Sequence, residues 1–259
     1  MPSRPNVSRP KTSRSNASRS NASRSSRAAS SPGWTEFWDT KHSIYVNARH
    51  QAAHFRRIAD DIRPYAPERG VMLDYGCGEA LAADRIADAV SRLILCEQAP
   101  NVRVMLGARF AGNDKIAVRK PEDVAMMPAG SIDAIVMHSV TQYLGGQDLD
   151  ALLTIFRRLL KPGGLLVLGD VIPHTLSAIE DAQALLRFGR QERFFAAAFK
   201  GLIRTYFSDY RRLRKSLGLT RYDAPEMTAK LEATGFSVEL APTNIGHNNK
   251  RMTFVAHAR

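Results

Sequence analysis

Between residues 71 and 170, short apolar runs alternate with segments of helical period, and this alternation constrains the fold more than any other feature. Residues 71–75, 92–97, 116–119, 132–138 and 165–170 each read as a buried strand. Residues 80–90, 101–110 and 149–160 carry helical spacing between them, and the last of these stops at Lys161-Pro162-Gly163-Gly164. Strands separated by helices pair in parallel, so the expected fold is a doubly wound α/β sheet. After residue 170 the rhythm changes. Residues 176–216 read as helices with no strand between them, a helical insertion between the fifth and sixth strands. A helix over 224–234 closes at Gly235. Residues 236–240 and 252–257 then form a hairpin through 242–250, which turns the last strand antiparallel. Upstream, 34–62 reads as helix in at least two pieces and ends at Pro64 and Pro67. The organisation expected is a tail over 1–33 and one domain over 34–259, with a helical cap at 34–67 and a helical lid at 174–218.

Charge is unevenly placed. The chain has 37 Lys and Arg against 25 Asp and Glu, a net +12. Residues 1–33 hold seven of the cations and no acid, and residues 187–215 hold nine against Glu192 and Asp209. The rest is close to neutral, which weakens the case for a surface built throughout to grip nucleic acid. The tail repeats Ser-Arg-Ser-Asn-Ala twice and has almost nothing to bury, so it is expected to stay disordered. A solvated tail, an over-extended start and an organellar transit peptide all fit it. No apolar run is long enough for a transmembrane span. Two cysteines, Cys77 and Cys96, are too few for a disulfide scaffold and suit a cytoplasmic chain.

The chemistry-bearing segment is Asp74-Tyr75-Gly76-Cys77-Gly78-Glu79-Ala80, where the first strand meets a helix. Glycines there let backbone approach a ligand, although ordinary strand–helix turns use them too. Asp74 ends the first strand, and Glu97 ends the second 23 residues on, where an acid can accept hydrogen bonds from a ribose diol. A dinucleotide site would set a pyrophosphate over the helix start, and Glu79 at that point would repel it.

These segments resemble the class I S-adenosylmethionine-dependent methyltransferases. Residues 71–80 look like their first motif, 93–97 like their acidic second motif, 131–136 like their fourth strand, and 159–168 like the turn and strand that follow. The resemblance implies a Rossmann-like seven-stranded, mostly parallel sheet in the order 3-2-1-4-5-7-6. It also implies S-adenosyl-L-methionine as cofactor. Gly76, Cys77 and Gly78 would then approach the methionine moiety with Asp74 beside them. Glu97, followed by Gln98, would hold the ribose, and Glu122 or Asp123 would face the adenine. His138 would line the methyl-donor channel. The usual third glycine of the motif is Ala80 here.

For acceptor chemistry, His138 and His174 follow the fourth and fifth strands and are the candidate bases. Tyr45 and Arg49 fall four apart, which places them on one helical face able to cover the donor. No metal is demanded: only His50-x-x-x-His54 has ligand-like spacing, without the Glu of zinc proteases. Residues 187–215 interleave aromatics with cations. That pattern suits a lid, an anionic-surface contact or RNA. The reading that follows is a methyltransferase acting on a small-molecule or lipid-like acceptor. An RNA or protein methyltransferase and a non-catalytic S-adenosylmethionine-binding protein are the rivals.

Overall fold

The computed structural model describes residues 32–40, 45–206 and 218–259. The tail over 1–31 lies outside the described residues, as do Arg211, Arg212, Arg214 and Lys215 of the basic stretch.

Seven strands form one sheet: β1 (Val71–Tyr75), β2 (Arg92–Cys96), β3 (Ile116–Arg119), β4 (Ile132–His138), β5 (Leu160–Val171), β6 (Phe236–Leu240) and β7 (Met252–Ala258). Their order is β3-β2-β1-β4-β5-β7-β6. β1 to β5 pair in parallel, and β7 runs antiparallel to both β5 and β6. The helices are α1 (Pro32–Asp39), α2 (Ala48–Ile62), α3 (Ala83–Ala87), α4 (Pro100–Arg109), α5 (Pro121–Ala125), α6 (Gly146–Leu159), α7 (Ala178–Gln191), α8 (Phe195–Tyr206) and α9 (Ala224–Ala233).

The strands are apolar on both faces because helices cover both. In β2, Ile94 and Cys96 join a core with Tyr75, Phe156 and Phe236, while Leu93 and Leu95 join a second core with Met72, Ile86 and Leu106. A third cluster packs Ala53 of α2 against Phe188, Phe194 and Ala198 of the α7–α8 pair. α1 is held by Trp34, which is 2% exposed and has its ring 4.7 Å from that of Tyr143. Among the described residues no helix is long and apolar enough to cross a membrane.

Three local expectations are corrected. The helix after the glycine loop starts at Ala83, not at residue 80, because Ala80 takes a left-handed φ of 43° that no α-helix accommodates. Lys161-Pro-Gly-Gly does not separate helix from strand. α6 ends at Leu159 and β5 begins at Leu160, and the four residues are accommodated as a bulge: Leu160 faces Ile132 while Leu165 faces Ala134. Tyr45 precedes α2 instead of sharing a helical face with Arg49, since Asn47 caps that helix by accepting from the His50 N–H.

Candidate active site

The glycine loop is fixed by its backbone. The N–H groups of Gly76 and Cys77 both donate to the Cys96 carbonyl, at 2.8 and 3.1 Å, which ties the end of β1 to the end of β2. Gly76 has φ 75°, and a Cβ there would lie 2.4 Å from Cγ2 of Val140. Gly78, at φ 56°, has nothing within 4 Å of its missing Cβ, so its backbone is open to a guest. The variant Gly76→Ala is therefore expected to lose roughly 3 kcal/mol of stability, combining left-handed strain with overpacking. A urea melt checks it, and a variant as stable as wild type would contradict this loop geometry.

Glu97 closes the loop from below. Its Oε2 accepts from Gly78 N and its Oε1 from Ala99 N, each at 2.9 Å. Burial raises its pKa, and the backbone donors at Ala99 and Gly78 oppose that rise. Burial, followed by the nearby Glu97 charge, lifts the Asp74 carboxyl to about 7. Oε1 of Gln98 and Oε1 of Gln142, on two residues that line one cavity with the glycine loop, are buried acceptors with no hydrogen-bond partner. Unpaired buried acceptors on the residues of such a lining are what a ligand rich in N–H and O–H groups would satisfy. The residues present thus fit S-adenosylmethionine.

A cavity of about 1200 Å³ runs from this cradle to the ends of β4 and β5. Of the residues singled out from sequence, Asp74, Gly76, Cys77, Gly78, Glu97, Gln98, His138 and Tyr45 all border it. Tyr45 holds its proton more tightly than usual through burial and the neighbouring Glu79.

Four others lie elsewhere. Glu122 and Asp123 are exposed in the first turn of α5, and Pro121 is the residue of that loop that reaches the cavity. Arg49 is turned outward, with Nε donating to the Glu192 carbonyl at 3.0 Å. His174 is exposed and pairs with Glu226 at 3.2 Å, because Arg221 binds the carbonyls of Pro173, His174 and Leu176 and organises a turn that carries the imidazole to the surface. His174, Asp223 and Glu226 do come together there, but both acids are committed to the capping box of α9.

The far end of the cavity holds residues that sequence reasoning missed. Asp170, at the end of β5, accepts from Arg251 Nη1 at 2.6 Å and from Ser139 Oγ at 2.5 Å, and Arg251 Nη2 also binds Asp181 of α7 at 3.0 Å. Ser139 and Asp170 both adopt left-handed φ values, 56° and 65°. Burial pushes the Asp170 carboxyl up, and Arg251, His138, the Ser139 hydroxyl and His247 together more than reverse this, leaving it below the usual range. His138 Nε2–H donates to the Ile245 carbonyl at 3.2 Å. His54 of α2 and His247 of the β6–β7 connection complete this end. Burial and the neighbouring histidines push His54 down to about 3. The one signal in the sequence was the length of that connection, longer than a tight hairpin needs.

Residues 73–168 match the methyltransferase domain family. A segment of chondramide synthase from Chondromyces crocatus is 34% identical over 97 residues, which is 30% of this chain and 2% of that protein, so the chain spans a small part of that relative's length. Among solved structures, a chain from the complex formed by the Haloferax volcanii Trm112 methyltransferase activator is 15% identical with a TM-score of 0.53, over 80% of this chain and 91% of that one. Human N-acetylserotonin methyltransferase in complex with S-adenosylmethionine is 12% identical with a TM-score of 0.51, over 79% of this chain and 51% of that one. Residues 73–168 are thus a methyltransferase domain, set in a sheet with the architecture of the class I S-adenosylmethionine-dependent methyltransferases.

Proposed function

We propose that the chain transfers a methyl group from S-adenosylmethionine to a small acceptor without anionic groups. The cavity carries this reading. At about 1200 Å³ it exceeds the roughly 300–1,000 Å³ of a site for one drug-sized ligand, which leaves room for donor and acceptor together. Its charge is one-sided. Asp39, Asp74, Glu79, Glu97 and Asp170 border it, and among the described lining residues Arg251 is the only Lys or Arg. That cation is already paired with Asp170 and Asp181. Such a lining favours the sulfonium and ammonium of the donor and opposes an anionic acceptor. None of the described residues of the basic stretch borders the cavity, which weighs against an RNA acceptor held there.

Bound in this cradle, the donor supplies a methyl group made electrophilic by its positive sulfur. The chain's own residues hold and align it: Glu97 at the ribose hydroxyls, the Gly76–Gly78 backbone along the methionine part, and Asp74 as the counter-charge. Trp38 and Tyr45 line the cavity with ring surface that disfavours water, so that the rate comes from alignment in a dry site.

Asp74 gives the test. A carboxyl with a pKa of about 7 in the free protein must ionise to face a cation, so binding releases a proton and tightens as pH rises. From pH 6 to pH 8 the affinity for S-adenosylmethionine is expected to rise roughly tenfold, and Asp74→Asn to flatten the dependence. Calorimetry in buffers of different ionisation enthalpy reads both affinity and released proton. No donor binding at any pH would overturn the methyltransferase reading, whereas binding with a flat pH profile would overturn only the role of Asp74.

A further inference from the structure

We propose that His247 is the base that takes the proton from the methyl acceptor, and that this acceptor is an aromatic compound bearing an O–H or N–H. The proposal rests on the methyltransferase reading above and adds to it the substrate class and the proton's destination. Three histidines, His54, His138 and His247, border the far end of the cavity, with His50 packed behind them, and their surroundings set them apart. The Nδ1 of His50 accepts from the Val46 N–H and its ring stacks on Phe194 at 4.7 Å, away from the cavity lining. His138 donates its Nε2–H to the Ile245 carbonyl, which fixes the ring and leaves Nδ1 as its one acceptor. His54 faces His138, His247 and His50 together, so a proton placed on it meets the field of three neighbours.

His247 shares that field of histidines but has two carboxylates, Asp170 and Asp181, to offset it. It borders the cavity, and its imidazole has no hydrogen-bond partner among the described residues, which leaves a ring nitrogen for a guest. The ring is nevertheless fixed. It stacks on Phe188 with centroids 5.0 Å apart and planes 15° from parallel. The residues on either side are pinned, Gly246 N to Asp61 Oδ2 at 2.9 Å and Asn248 Nδ2 to Asp181 Oδ1 at 2.6 Å. The groups that set its charge come from every packed element: His54 and His50 of α2, His138 of β4, Asp170 of β5, Asp181 of α7, and Arg251 ahead of β7. Burial holds the imidazole below its ordinary pKa, hence neutral and ready to accept, while Asp170 and Asp181 stabilise the imidazolium that forms.

The acceptor's class follows from the walls. Trp38, Tyr45, Phe55 and Tyr143 line the cavity with His54, offering ring faces and edges to a planar guest. The acidic lining repels an anionic one. In the reaction the acceptor oxygen or nitrogen forms its bond to the methyl carbon as the carbon–sulfur bond breaks, and that electron pair stays on sulfur, which becomes neutral. The proton leaving the acceptor goes to the free nitrogen of His247 and from there to solvent.

The test uses the full chain, S-adenosylmethionine and three probes: catechol, the anionic 3,4-dihydroxybenzoate, and the non-aromatic cyclohexane-1,2-diol. Catechol is expected to be methylated with a kcat/KM at least about tenfold above either of the others. For His247→Gln and His247→Asn, kcat is expected to fall roughly a hundredfold or more with donor affinity by calorimetry unchanged. Independently of activity, imidazole NMR of the donor-free protein should show one resonance, absent in both variants, that titrates below the ordinary histidine range and shifts when catechol is added. A better rate with dihydroxybenzoate or the diol, or no transfer to catechol, overturns the acceptor class. A wild-type kcat in either variant, or a His247 resonance blind to catechol, overturns the base. Failure of the wild-type chain to bind the donor at all would sink the underlying methyltransferase reading instead.

Discussion

Replacing Glu97 by alanine is expected to weaken S-adenosylmethionine binding by about a hundredfold, or about 3 kcal/mol. Two losses combine. The ribose hydroxyls lose a charged acceptor, and the N–H groups of Gly78 and Ala99 lose the carboxylate that holds them at 2.9 Å. The second loss separates this site from a simple contact, because the acid shapes the glycine loop before any donor arrives. Calorimetry measures the affinity, and hydrogen exchange at Gly78 and Ala99 reports the loop. Glu97→Gln keeps one oxygen but turns an amide N–H toward a backbone donor, so it should fall between wild type and alanine. Wild-type affinity in a folded alanine variant would contradict the assignment at both ends.

The largest effect on stability is expected at Arg251. Its guanidinium lies between Asp170 and Asp181, at 2.6 and 3.0 Å, and joins the end of β5 to α7. Arg251→Ala leaves Asp170, 9% exposed, facing no cation. Breaking one side of a buried pair costs about 3–5 kcal/mol, which for a chain of this length lowers the Tm by about 10 °C. The double variant Arg251→Met/Asp170→Asn removes both charges and should recover much of that loss, since asparagine tolerates a left-handed φ and still accepts from Ser139. Calorimetric melts of the three proteins decide it. Equal melting of wild type and Arg251→Ala would mean that the network contributes nothing to folding.

The sheet was legible because its strands are short apolar runs buried on both sides, a pattern that survives without knowledge of partners. β1, β3, β4 and β6 fall where the runs fall, the final hairpin was read from the two runs around 242–250, and the strand order is the one the resemblance implied. Helix starts were less legible: the turn at Ala80 depends on a backbone angle that residue type disfavours. The proposed donor half of the site is one contiguous motif with its acid a fixed distance on, so sequence spacing picked out residues that border one cavity. The proposed acceptor half is assembled from residues 54, 138, 170 and 247, on four separate elements, and no spacing rule joins them. His174 shows the difference. It follows the right strand, yet a turn organised by an arginine 47 residues away takes it out to solvent. His247 sits in a connection that reads as mere linker and acquires its setting only from Phe188 and Asp181 of a distant helix.

Ala80 at φ 43° has a consequence for the rhythm of turnover. Alanine there costs roughly 1–2 kcal/mol that glycine would not. It also denies the empty loop the wandering that a third glycine would allow. A cradle stiff before its guest arrives gives up little disorder on capture, so it grips at once and lets go slowly. Under the proposed methyl transfer, the departure of the spent donor, and not its replacement, would then set the pace.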